Sequence, residues 1–141
     1  MQKIEKCTQA ILLALMLPCL SSCGAYERYQ RTKQIESYAH LQAAASIINE
    51  LIAQKGIIEK ERAEEIVKTI NRGRDAWGSK ILYEQRSRPD FSFLLISLGR
   101  DRVLDVRNVE EYFVHPEEDV RGDFDRDIVF RDGIPVTFSG K

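Results

Sequence analysis

Three carboxylates at alternate positions, Asp123-x-Asp125-x-Asp127, are the residues whose type and spacing could do chemistry. In an extended segment, alternate side chains face the same way, so the three would repel one another unless a counter-charge sat between them. A cation that takes roughly 6–8 hard oxygen ligands in irregular geometry, Ca²⁺, suits such a set. The run is not an EF-hand: measured from Asp123, the sixth position is Ile128 where glycine belongs, and the twelfth is Ile134 where glutamate belongs. The plainer reading is a solvated acidic loop neutralised by Arg121, Arg126 and Arg131. Catalytic patterns are weaker. His40 and His115 lack the His-Glu-x-x-His spacing that brings two imidazoles to one metal. Ser97-Leu98-Gly99 is not a Gly-x-Ser-x-Gly elbow, and no glycine-rich phosphate loop is present. Glu110-Glu111 and Glu117-Glu118 are adjacent pairs, whose side chains diverge on a helix or a strand. A non-catalytic protein is expected.

Composition narrows the classes further. The 141 residues are 43% hydrophobic and 30% charged, with 21 basic against 22 acidic side chains and a formal net charge of −1, which suits one ordinary globular domain. Without a cationic excess, phosphate-backbone binding has no electrostatic footing, so no nucleic-acid partner is expected. The charge is unevenly placed: residues 24–99 sum to +2 and residues 100–132 to −5.

The first 23 residues read as an export signal. Lys3 and Lys6 precede an apolar stretch from Ala10 to Leu20, 11 residues long, followed by small residues Ser21-Ser22. A hydrocarbon core needs about 20 apolar residues in a helix, so a permanent span is not expected. The ending Leu20-Ser21-Ser22-Cys23 resembles the lipobox of bacterial lipoproteins. That resemblance implies removal of residues 1–22 and a thioether-linked diacylglycerol with an acylated, palmitate-type amine on Cys23. More than one acyl chain is what stable anchoring requires. Gly24 is not the aspartate that retains such proteins at the inner membrane, so an outer-membrane lipoprotein facing the periplasm is expected. Cys7, Cys19 and Cys23 are the only cysteines. Cleavage removes two and lipid occupies the third, which excludes a disulfide scaffold, a thiolate metal site and a cysteine nucleophile in the mature chain, residues 23–141.

Two periodicities describe the elements that must position the acidic loop. From Tyr26 to Gln54 there is no glycine or proline, and Ile35, Tyr38, Leu41, Ala45, Ile48 and Ile52 recur at helical steps, predicting a long amphipathic helix stopped by Gly56. Glu59 to Asn71 predicts a second helix with Ala63, Ile66, Val67 and Ile70 inward, closed by Gly73. Beyond it the pattern becomes that of strands. Ile81–Gln85 and Phe91–Leu98 flank the turn Arg88-Pro89-Asp90, and Ile128–Phe130 and Ile134–Phe138 flank Asp132-Gly133, a hairpin cue. Pro135 confines the last strand to an edge. Helices followed by antiparallel strands predict an α+β domain, with the long polar stretch from Gly99 to Asp127 as its functional or mobile loop.

The segment Asp75-Ala76-Trp77-Gly78-Ser79-Lys80-Ile81-Leu82-Tyr83-Glu84 resembles the globular domain of the major pseudopilin of type II secretion, whose Asp-x-Trp-Gly turn leads into a strand ending Tyr-Glu. Phe93, Ser97-Leu98-Gly99 and Asp101 are similar to that family's next strand and its entry to a calcium-binding loop, and Asp127-Ile128 to the pair that closes the loop. The chain departs from the family at Lys80, where proline is usual, at Arg102, often glycine, and at the N-terminus, where a lipobox stands in place of a prepilin leader. The resemblance implies a pseudopilin-like fold and a Ca²⁺ site with Asp101, Asp125 and Asp127 as charged ligands. Ser97, Leu98 and Gly99 would supply carbonyl oxygens. It also implies a structural or protein-interaction role with an envelope partner, related to secretion. The alternative is a small envelope hydrolase using carboxylates of the same loop. Trp77, beside Gly78, is expected to seal the core rather than serve as an exposed platform.

Overall fold

The computed structural model describes residues 2–87, 90–114, 116 and 118–137. Arg88, Pro89, His115, Glu117 and Phe138, each named in an expectation above, lie outside them, as do the side chains of residues 1–22. The chain divides into two compact units, Met1–Thr32 and Lys33–Lys141.

Helix α1 spans Gln2–Lys55. It begins well before the expected Tyr26, because the Leu- and Ala-rich stretch ahead of Cys23 is itself a strong helix former. In the first unit, Arg31 pairs with Glu27 one turn back at 3.3 Å, and Cys23 is exposed. Among the described residues, no helix is long and apolar enough to cross a membrane. The far end of α1 stops where expected: the Gly56 N–H donates to the Ile52 carbonyl at 2.7 Å with φ of +82°, a left-handed cap that glycine reaches without strain.

In the second unit, α2 covers Lys60–Thr69 and a short 3-10 turn covers Asn71–Gly73. The strands are β1 (Leu82–Arg86), β2 (Ser92–Ser97), β3 (Ile128–Arg131) and β4 (Ile134–Pro135). They form one antiparallel sheet in the order β1-β2-β3-β4, with Tyr83 opposite Leu95 and Ser97 opposite Ile128. The α+β class is therefore as expected. At the Asp132-Gly133 turn both residues have positive φ, 55° and 83°, the type I′ geometry whose twist matches a two-residue hairpin. Its second arm is shorter than expected. Pro135 ends it, and the chain turns away so that Val120 N–H bonds to the Thr137 carbonyl at 3.0 Å.

Each sheet face carries its own core. On one, Leu41, Ala44, Ala45 and Ile48 of α1 and Ala63, Ile66 and Val67 of α2 bury against Tyr83, Phe93, Leu95, Ile128 and Phe130. The Tyr38 and Phe130 rings meet at 5.0 Å, and Trp77 packs half-buried on the same cluster, the sealing role expected of it. On the other face, Leu94, Ile96 and Val129 bury against Tyr112, Phe113 and Val136. With both sides covered, β2 is buried along its whole length. The inward stripe of α1 needs one correction. Ile35 is 57% exposed, while Gln34 and Ser37 are buried. The helical step is kept, but its phase is set by two polar residues that bind loop backbone.

Candidate functional site

The loop joining β2 to β3 begins at a close backbone crossing. Gly99 has φ of +67°, and a Cβ there would stand 2.7 Å from the Arg126 carbonyl oxygen, so no side chain fits. The crossing is sealed by Arg100 N–H donating to the Phe124 carbonyl at 2.7 Å. A 3-10 turn at Val109–Phe113, closed by a capping box between Asn108 and Glu111, then delivers Tyr112 and Phe113 into the second core. Leu98, Leu104, Val106 and Val109 pack beside them. A stretch that looks polar and structureless in sequence is thus fastened by apolar anchors.

Its carboxylates are fastened too. Asp105 and Asp127 clasp each other: Asp127 N–H donates to Asp105 Oδ2 at 2.7 Å, and Asp105 N–H donates to Asp127 Oδ2 at 3.0 Å. The Tyr112 hydroxyl donates to that same Asp127 oxygen at 2.5 Å. Arg126 bridges Asp105 at 3.1 Å and Glu118 at 2.8 Å. Arg100 takes both oxygens of Asp125, at 2.8 and 2.6 Å. That pairing holds the Asp125 carboxyl below its ordinary range. Asp101 accepts the Val103 N–H at 2.9 Å and closes a local turn.

Asp127 is the unusual member. It is fully buried, and its Oδ1 has no hydrogen-bond partner among the described residues. Burial pushes its carboxyl up to about 6; the bonds from Tyr112 and Asp105 act the other way, while the nearby Asp105 and Asp101 charges reinforce the rise. The same burial, with the Asp127 contact, raises the Tyr112 hydroxyl.

Of the residues expected to hold calcium, Asp127 lies inside, Asp101 is exposed, and Asp125 is turned to Arg100. The Ser97 hydroxyl donates to Asp75 Oδ2 at 2.8 Å, Leu98 packs in the second core, and Gly99 lies against the Asp125 and Arg126 carbonyls. Among the described residues, no group of three or more His, Cys, Asp or Glu side chains is placed to share one metal ion. Of the arginines named from sequence, Arg126 neutralises Asp105 and Glu118, Arg121 pairs with Asp119, and Arg131 donates to the Tyr112 and Phe113 carbonyls.

Two positions, Gln34 and Ser37, escaped the sequence reading, and the bonds of a third, Asp75, went beyond its place in the turn motif. Gln34 grips the turn at 120–123: its Nε2 donates to the Val120 and Asp123 carbonyls at 3.0 and 3.1 Å, and its Oε1 accepts the Gly122 N–H at 3.0 Å. Ser37 accepts the Ala76 N–H at 2.9 Å. Buried Asp75 accepts both the Ser79 N–H and the Ser97 hydroxyl at 2.8 Å, tying the Asp-Ala-Trp-Gly turn to the end of β2. The available signal was that Gln34, Ser37 and Leu41 form a single helical row. A comparison with family models, curated proteins and solved structures finds no match to this chain.

Proposed function

We propose that the chain is a lipid-anchored bacterial envelope protein, tethered through Cys23, whose pseudopilin-like α+β domain is a non-catalytic interaction module with a calcium-stabilised loop. One observation carries the non-catalytic reading: Asp101, Asp105, Asp119, Asp125 and Asp127 all accept hydrogen bonds from the chain's own backbone or arginines, so they stiffen a surface. An acid or base needs a carboxylate that can reach substrate.

For calcium, the fit is uneven. Buried Asp127 has an acceptor oxygen without a donor, which a cation would satisfy, and the Asp101 and Asp105 charges favour a cation nearby. Asp125 could join only by leaving Arg100. Calorimetry on the full chain tests the site. A saturable calcium heat is expected, with a melting temperature several degrees lower in chelator and the difference lost in Asp127→Asn. A ligand at about a hundredfold excess over its Kd adds roughly 2.7 kcal/mol. No heat and an unchanged melting temperature would mean that the arginines alone neutralise the loop.

The second reading, a small envelope hydrolase, is favoured by a carboxyl raised to about 6. Its full burial and its hydroxyl partner weigh against contact with a substrate.

A further inference from the structure

Strand β1 pairs with β2 on one side, and among the described residues no strand lies on the other. Just ahead of it Lys80 forms a β-bridge with Arg74 and the Ile81 N–H donates to the Gly73 carbonyl at 2.9 Å, so the edge is covered up to Ile81 and open beside Leu82–Arg86. Along β1 runs a groove of about 270 Å³, with Val67 of α2 and Ile81 among its apolar lining and Lys68, Arg72, Arg74 and Lys80 around it. Lining by the consecutive residues from Lys80 to Glu84 means that the groove follows the strand rather than one of its faces. Glu64 and Glu84 also line it, and Glu84 is already held by Lys60 at 3.0 Å. Lys68, Arg72 and Lys80 are exposed, and among the described residues none has an acidic partner. Four cations therefore face two carboxylates, one of them already held by Lys60, and the groove keeps a positive excess on a chain whose net charge is −1.

The rim is also held stiffly. Asn71, Arg72 and Gly73 all have positive φ, 43°, 58° and 72°, and Asn71 Nδ2 fixes the turn by donating to the Arg74 carbonyl at 3.0 Å. Non-glycine residues such as Arg72 stay in that region only where the surroundings hold them. Arg74 is positioned in turn, its Nη1 donating to the Gly78 carbonyl at 2.6 Å.

We propose that this groove takes an extended, acidic peptide segment of a protein partner, laid along β1 with its carboxylates over Lys68, Arg72 and Lys80. An open strand edge offers backbone groups to an extended chain, and alternate side chains of that chain reach the pocket. Within β1 the groove runs beside Leu82, Tyr83 and Glu84, which sets a short contact. Cations on the rim select an acidic sequence and reject a basic one, while the apolar lining accepts the side chains between. The inference rests on the reading of the domain as an interaction module.

The test uses the full chain in detergent and a fluorescent octapeptide alternating Glu with Val, followed by anisotropy. Saturable binding is expected, weakened by added salt, absent for the Lys-for-Glu peptide, and at least about tenfold weaker in Lys68→Glu/Lys80→Glu, which changes two exposed side chains and leaves the melting temperature in place. Equal binding by the double variant, or no saturable binding, overturns the groove. So does loss of binding to phosphatidylglycerol vesicles in the variant with no peptide binding by either protein, which would make the cations a membrane contact. Cross-linking in intact envelopes separates the two levels. A defined partner retained equally by wild type and variant removes the groove and leaves the module; no partner with either protein removes both.

Discussion

Asp127 is where the physics of a single residue has the most consequence. A carboxyl whose pKa is raised on folding, from an ordinary value near 4 to about 6, binds its proton more tightly in the folded chain than in the unfolded one. Its contribution is favourable below pH 4 and is lost as pH rises through 6. In chelator, the melting temperature is therefore expected to fall between pH 4 and pH 6 by more in the wild type than in Asp127→Asn, an amount equivalent to roughly 3 kcal/mol at most. Identical pH profiles would mean that the carboxyl is not desolvated. The groups facing it are Asp105, Asp101, Arg126 and Tyr112, so Tyr112→Phe, which removes a donor, should raise the carboxyl further and steepen the slope. At the same scale, Gln34→Ala would strip three partners from one turn, the Val120 and Asp123 carbonyls and the Gly122 N–H. Buried groups left unsatisfied cost about 1–3 kcal/mol, so a clear loss in thermal melting is expected, with faster hydrogen exchange at the Gly122 amide.

At the scale of elements, legibility follows how much each element's residues had to satisfy. The sheet was readable because its needs are local: β-branched and aromatic runs, an Asp-Gly turn that accepts positive φ, and a proline that fits only an edge. The β1 and β2 boundaries accordingly fall within a residue or so of the expected ones. Helix α1 was readable as a helix with its inward stripe from Tyr38 to Ile52, and was misread only at Ile35, because apolar periodicity assumes that the buried face is apolar. Gln34 and Ser37 are buried by what they hold on other segments, information that lies some 86 and 39 positions away in the chain. The second core was illegible for a related reason. Tyr112 and Phe113 are adjacent residues in an acidic stretch, with neither period 2 nor period 3.6 to mark them. The clasp between Asp105 and Asp127 was hidden likewise, since its first member lies outside the alternating run. The corrected end of the stripe gives a direct test. Ile48→Ala, at a fully buried position, should cost roughly 2–5 kcal/mol, whereas Ile35→Ala and Glu50→Ala should leave the melting temperature within a degree or two. A large loss at Ile35 would return it to the inward stripe.

For the whole molecule, the proposed export signal and the folded core occupy different stretches of sequence. Both apolar clusters are built from Leu41 onward, within the unit Lys33–Lys141, and Cys23 belongs to the unit Met1–Thr32, where it is exposed. Anchoring and folding should therefore be separable by one substitution. Each buried methylene of an acyl chain adds about 0.8 kcal/mol, and a single chain gives only reversible binding, so under the proposed anchoring a multiply acylated Cys23 would carry the membrane affinity. No helix among the described residues is able to replace it as a span. In cells, Cys23→Ser is expected to move the protein out of the envelope fraction of mature lipoproteins. Mass spectrometry should find acylated Cys23 at the N-terminus of the wild type and no acyl group on the variant. The melting transition of the variant should match that of the wild type after delipidation, because no core residue changes. A wild-type chain that retains residues 1–22, or that is recovered unmodified, would remove the lipid anchor from the proposal. The groove along β1 and the charge segregation of the domain would then have to be explained for a protein held at the envelope by other means, or not held there at all.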